Sequence, residues 1–180
     1  MALLSRKDRA YLHRYALLGA ALPDLPMFIF FGVETLILKY PQEQIWSERY
    51  FLPQWQNFID PFNSIPFILI GLGIAYLLRS EVVTVLSWSM LLHCVADLFL
   101  HRDDAHRHFF PFSQYTFNSP ISYWDANYHG QIVSAVEIAV TIAVSAYLFP
   151  RLHSHVARGA LVTVNTVSVL LYIGFAFFFG

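Results

Sequence analysis

Five stretches of this sequence, each close to the length of a bilayer-crossing helix and almost free of charge, limit what the chain can fold into. A helix rising ~1.5 Å per residue needs about 20 apolar residues to cross a ~30 Å hydrocarbon layer. Lipid cannot satisfy an exposed backbone, so such stretches become helices. They run Tyr15 to Leu38, Pro61 to Leu78, Val82 to His101, Gln131 to Leu148 and Gly159 to Phe179. The expected architecture is an all-α, polytopic membrane bundle of about five transmembrane helices in one domain, 1–180. Its first span is proline-broken, because Leu22-Pro23-Asp24-Leu25-Pro26 removes two backbone donors and inserts a carboxylate.

Composition agrees, with 57% hydrophobic and only 13% charged residues against roughly 25% charged in soluble domains. A net charge of -1 offers no basic surface, so nucleic acid is excluded as a partner and membrane lipid is expected. The single cysteine, Cys94, lies in an apolar run and reads as a small buried side chain.

Connections set the topology. Arg79-Ser80-Glu81 is short, which makes spans two and three an antiparallel pair. Tyr40 to Asp60, polar and aromatic, is expected to lie along an interface, with Trp46, Trp55, Tyr123 and Trp124 as belt residues. A long polar loop occupies 102–130. No small-residue cleavage site follows the basic N-terminus, so the first span reads as retained. With that terminus cytoplasmic, Arg6, Lys7, Arg9, Arg14, Arg79, Arg151 and Arg158 fall inside, and Lys39, Arg49, Arg102 and Arg107 outside. This bias favours a multi-pass protein with its N-terminus in the cytoplasm and the long loop on the outer side.

Five of the eight histidines fall between residues 93 and 129. In span three, His93, Asp97 and His101 recur every four residues and so share one helical stripe within an arc of about 80°. If the helix continues, Asp104 and His108 extend it. Imidazole and carboxylate together suit a divalent transition metal, zinc above all. Such an ion makes hydrolysis the natural reaction class. His93, Asp97 and His101 are the expected ligands, Asp24 and His129 further ligands or their supports, and Asp104 or Glu137 the general base. Each group also has a plainer reading. His93 with Asp97 makes a satisfied hydrogen-bonded pair, Asp24 serves donors freed by the prolines, Glu137 is a protonated bridge between helices, and His106 with Arg107 anchors lipid headgroups.

Leu22-Pro23-Asp24, Asn63-Ser64 and His93 with Asp97, met in this order, resemble the YdjM-like family of bacterial inner-membrane proteins over residues 15–130. The resemblance implies a metal-dependent hydrolase in the inner (plasma) membrane, with Asp24, His93 and Asp97 on the family's polar positions. The chain departs from the pattern at Asn63, where histidine is expected before Ser64, and an amide is the poorer ligand for a transition metal. Altogether the residues suggest a hydrolase acting on a lipid-linked or other amphipathic substrate. Two alternatives stand beside it. One is a non-catalytic small subunit associated with other membrane protein subunits, binding a pigment or haem through histidine. The other is ion movement along Asp24, Glu34, Asp97 and Glu137.

Overall fold

A computed structural model describes residues 11–123, 125–152 and 154–178, with side chains as far as Gly174. Arg6, Lys7, Arg9, Trp124, His153 and Phe179 lie outside the described residues. All regular structure among those described is helical. Pro53–Leu78, Glu81–Leu100, Gly130–Arg151 and His155–Gly174 are long and apolar enough to cross a membrane. A fifth span results if the bent pair Leu12–Ala21 and Leu25–Ile37 counts as one. The chain divides into two compact units, Met1–Leu98 with Asp103–Asn118, and Phe99–Arg102 with Ser119–Gly180.

In the first unit, α1 (Leu12–Ala21) and α2 (Leu25–Gly32) meet at a bend of 51°. Pro26 occupies the first turn of α2, where a missing N–H breaks no intrahelical bond. The helix then runs on as a π turn, Val33–Ile37. The segment expected along an interface instead folds back. It forms α3 (Gln42–Gln44), a π turn over Ile45–Arg49, and α4 (Pro53–Ile59). Ile45, Tyr50 and Ile59 bury themselves with Phe30 of α2, and Met27, Phe31, Tyr40 and Trp55 pack around them. The physical reason is a buried carboxylate. Glu34 is fully buried and takes a two-pronged bond from Arg49, Nε to Oε2 at 2.8 Å and Nη2 to Oε1 at 2.9 Å. Trp55 Nε1 donates to Oε1 at 2.6 Å. Trp55 is therefore a partner for Glu34 rather than a belt residue, and Glu34 is committed to an ion pair.

The apolar run from Pro61 is entered through a helical lead-in that begins at Pro53. Asp60–Phe62 closes a single 3₁₀ turn after α4, and α5 (Ile65–Leu78) follows with Ser64 as its N-cap. Ser64 Oγ accepts from Phe67 N at 3.3 Å and donates to the Phe110 carbonyl. The His108 carbonyl accepts from Ile65 N at 2.9 Å, so the loop 103–118 satisfies donors that the first turn of α5 leaves open. Arg79 takes the left-handed conformation at φ 51° to end α5. Ser80 Oγ then accepts from Val83 N at 3.3 Å and opens α6 (Glu81–Leu100), giving the tight connection expected.

Arg107, expected at lipid headgroups, points into the protein. Its Nε donates to Asp60, a fully buried carboxylate, and its Nη2 to Asn57 Oδ1 at 2.9 Å. His106 is buried beside it, Nδ1 3.5 Å from Tyr50 Oη. A guanidinium in place of a headgroup contact neutralises a charge that neither apolar packing nor lipid could stabilise.

In the second unit the last carbonyls of α6 are taken up by a returning segment. Phe99 O accepts from Ser119 Oγ at 2.6 Å, Leu100 O from Tyr123 N at 3.1 Å and His101 O from Ser119 N at 3.1 Å. The helix stops at Leu100 for this reason, and the stripe does not continue to Asp104 and His108. Asp125 caps the turn before α7 (Gly130–Leu148), where any side chain at Gly130 would strike the Asp125 backbone. α8 (His155–Phe178) packs on α7, and Asn165 Nδ2 donates to Ser145 Oγ at 2.8 Å.

Arg107→Met is expected to destabilise the protein by about 3 kcal/mol, since it takes the guanidinium from buried Asp60 and leaves it only the residue-107 backbone N–H and the His106 ring at 4.0 Å. Asp60→Asn combined with Arg107→Met should recover part of that loss. Denaturation of the detergent-solubilised variants checks the order, and a double variant less stable than the single one would contradict it.

Candidate metal centre

The proline break and α6 together build one convergent polar group in the first unit. Because α1 stops at Ala21 and α2 starts at Leu25, Asp24 sits at the bend, and its side chain makes no capping bond to α2. The carboxylate is turned to α6 instead. Asp24 Oδ1 lies 3.4 Å and Asp97 Oδ2 2.9 Å from the same atom, His93 Nε2. Ligand atoms of the three residues all fall within 4.8 Å of one another.

α1 reaches this position through a close helix crossing. A Cβ at Gly19 would collide with the Leu86 carbonyl and come within 2.9 Å of Ser89 Cβ, so only glycine lets α1 approach α6 so nearly. Five residues after Gly19 comes Asp24, and His93 lies four after Ser89. α1 therefore runs alongside α6 in the same direction until the bend.

The spacing admits an imidazole held by two carboxylates and also admits a cation among the three groups. His93 Nε2 is buried, yet it makes no hydrogen bond of acceptable geometry to either oxygen. Two ligands bound at ~2.0–2.2 Å to one ion are separated by about 2.9 to 3.5 Å, depending on the angle between them. The two distances to Nε2 fall in that range. Asp97 and His93 are mostly buried, with side-chain exposures of 14% and 18%, whereas Asp24 is 48% exposed and forms the open edge.

Asn63 supports this group from beneath. It is buried, donates through Nδ2 to the Pro23 carbonyl at 3.2 Å, and its Oδ1 lies 3.9 Å from Cys94 Sγ. His108 Nδ1 meets the Asn63 carbonyl at 3.0 Å. Asn63 thus ties the residue before Asp24 to the residue after His93. Pro23 cannot be anchored by an N–H of its own, and its carbonyl, placed after α1 has ended, needs an outside donor. An amide supplies that donor and accepts from the thiol at once, which explains the residue type at this position.

Of the other expected site residues, none joins the convergent group among the described residues. His101 belongs to the second unit, its ring 5.0 Å from that of Tyr123. His129, also there, takes the left-handed conformation at φ 66° just before α7. Glu137 lines a groove between α7 and α8. Asp104 lies on the 103–118 loop, its carbonyl accepting from Tyr50 Oη at 3.2 Å. The role of Asn63 as a brace was missed, because a brace is defined by what lies across from it in space. The Glu34–Arg49 and Asp60–Arg107 pairs were missed for the same reason.

No protein-family model, curated protein or solved structure matches the chain. Its chemistry rests on the site itself.

Asn63→Ala, which removes the brace and keeps every ligand, is expected to weaken divalent-metal binding about 10-fold, the scale of outer-shell partners at metal sites. Titration calorimetry with zinc on the purified variant measures it. Unchanged affinity would separate Asn63 from the site.

Proposed function

We propose that this chain is a multi-pass integral membrane protein. We propose further that it holds a divalent transition metal, zinc by ligand preference, between Asp24, His93 and Asp97, and hydrolyses a lipid-linked or other amphipathic substrate there. The observation that carries the proposal is the approach of two carboxylate oxygens, one from the bend and one from α6, to one buried imidazole nitrogen.

Membrane insertion is supported by four helices of mean hydropathy 1.6 to 2.1 over spanning length. Their surfaces leave large apolar side chains open, among them Tyr76, Leu77 and Val156, each more than 70% exposed. In water such a surface would aggregate, whereas in lipid it is matched to its solvent. The basic-residue bias supports a cytoplasmic N-terminus, and the likeness of the polar motifs to the YdjM-like family supports a bacterial inner-membrane location.

Within this reading the residues divide the work. His93 and Asp97, from one helix face, are held with little freedom and define the position of the ion. Asp24, at the open edge, is the ligand beside which water and substrate enter. His93, Asp97 and Asp24 would hold the ion, which when bound would supply Lewis acidity at this edge. The half-exposed Asp24 carboxylate is also placed to accept a proton from a polar group at that edge. Asn63 fixes the backbone before Asp24, so the opening keeps its shape. A substrate with an apolar tail can approach from the lipid side, along the exposed faces of α5 and α6.

The test is the metal content of the purified full-length chain against His93→Ala with Asp97→Ala. Near-stoichiometric zinc in the wild type and loss of it in the double variant are expected, together with loss of any hydrolysis of lipid-linked phosphoesters. Equal, substoichiometric metal in both would overturn the proposal and leave the non-catalytic subunit standing.

A further inference from the structure

The helical hairpin α7–α8 carries a polar seam along an otherwise apolar surface, and nothing in the metal centre uses it. Ser134, Glu137, Thr141 and Ser145 recur at spacings of three and four along α7, so they share one face. Asn165, Ser168 and Tyr172 do the same on α8. At one end the seam closes, with Asn165 bonded to Ser145. Toward the start of α7 it opens into a cavity of about 280 Å³ lined by Glu137, Thr141, Ser168 and Tyr172, with Ile138 and Leu171 as apolar walls. Ser134 and Tyr123 stand at its mouth, joined by a bond from Ser134 Oγ to the Tyr123 carbonyl.

Glu137 is the anomaly. It lies seven residues into α7, about 10 Å along the axis, in a helix of mean hydropathy 2.1. It is exposed to the groove and makes no hydrogen bond or ion pair among the described residues. A charged group at such a depth costs several kcal/mol in lipid unless it is paired. Asp60 and Asp97 on other long helices each meet a cationic or imidazole partner, whereas Glu137 faces the groove.

We propose that this groove binds the protonated primary amine of a long-chain amphiphile, an aminolipid or alkylamine. The argument is complementarity. An ammonium has three donors and no acceptor, and the cavity offers it a carboxylate with the hydroxyl oxygens of Thr141, Ser168 and Tyr172. Ile138 and Leu171 then receive the first methylenes, and the hydrocarbon tail leaves between the helices into lipid. A divalent cation fits poorly, because calcium or magnesium takes six or more oxygens, several of them charged, and the groove holds one carboxylate. A second copy fits poorly too. No lysine or arginine lies between Gly130 and Leu148, so α7 of a second copy would bring no cationic side chain to Glu137.

The proposal rests on the membrane reading of α7 and α8 and is independent of the metal. Its test uses the full-length protein in nanodiscs of phosphatidylglycerol, with a diazirine-bearing octadecylamine as photolabel and peptide mass spectrometry to place the adducts. Adducts on α7 and α8 are expected. Unlabelled octadecylamine should compete and octadecanol should not. Glu137→Gln should cut labelling about 10-fold or more, the scale of a lost charge-assisted bond. Thr141→Val with Ser168→Ala should weaken it less, with the carboxylate retained. Equal competition by octadecanol, equal labelling of Glu137→Gln, or a change of oligomeric state in that variant with labelling unchanged would each overturn the proposal. The competition arm needs no variant and so does not depend on one folding. Retention of the chain in membranes after an alkaline carbonate wash reads the membrane assignment by itself.

Discussion

Two prolines three residues apart govern the geometry of the first unit. Pro23 and Pro26 cannot donate backbone hydrogen bonds, so one long apolar run becomes two helices meeting at 51°. A straight helix would have left Asp24 in a regular turn, its position set by helical period alone. The break frees that residue from the period, and the Gly19 crossing brings it to α6. The carbonyl of Pro23, left without a helical partner, is held by Asn63. The break that opens the site therefore also creates the demand for the residue that braces it.

The same unit shows how apolar helices accommodate charge. Glu34 and Asp60 are both buried, and each is met by an arginine from a neighbouring segment rather than by solvent. Arg49 draws the 40–62 region onto α2, and Arg107 draws the 103–118 loop onto the start of α5. Removing one member of such a pair is far costlier than never having had it, because the survivor stays buried and charged. These pairs act as fasteners. They turn stretches that composition alone would place at a surface into parts of a core, with Trp55 and Tyr50 hydrogen-bonded inside it.

The Asp24–His93–Asp97 cluster and the α7–α8 groove represent opposite solutions to the placement of carboxylates. Asp24 and Asp97 converge on a nitrogen at ligand-like separations, whereas Glu137 faces a cavity. Residue type does not distinguish the two cases.

The helical class, the tight connection between α5 and α6, the break in the first span and the pairing of His93 with Asp97 were legible from the chain. They depend on local periodicity, proline chemistry and a spacing of four on one helix, all of which short-range rules describe. The end of α6 was placed within one residue, at His101 against Leu100, whereas the groups that take its last carbonyls, Ser119 and Tyr123, were not legible. Nor were the partners of Glu34 and Asp60, 15 and 47 residues away, since long-range pairing leaves no periodic trace. Asn63 is the clearest instance. From sequence it stands as a missing ligand, and in the fold it is the bridge between Pro23 and Cys94. The sequence by itself determined which residues could bind and on which helices they ride. Tertiary structure decided which of them meet, because convergence depends on where chain segments cross, and a crossing is set by packing and buried charge.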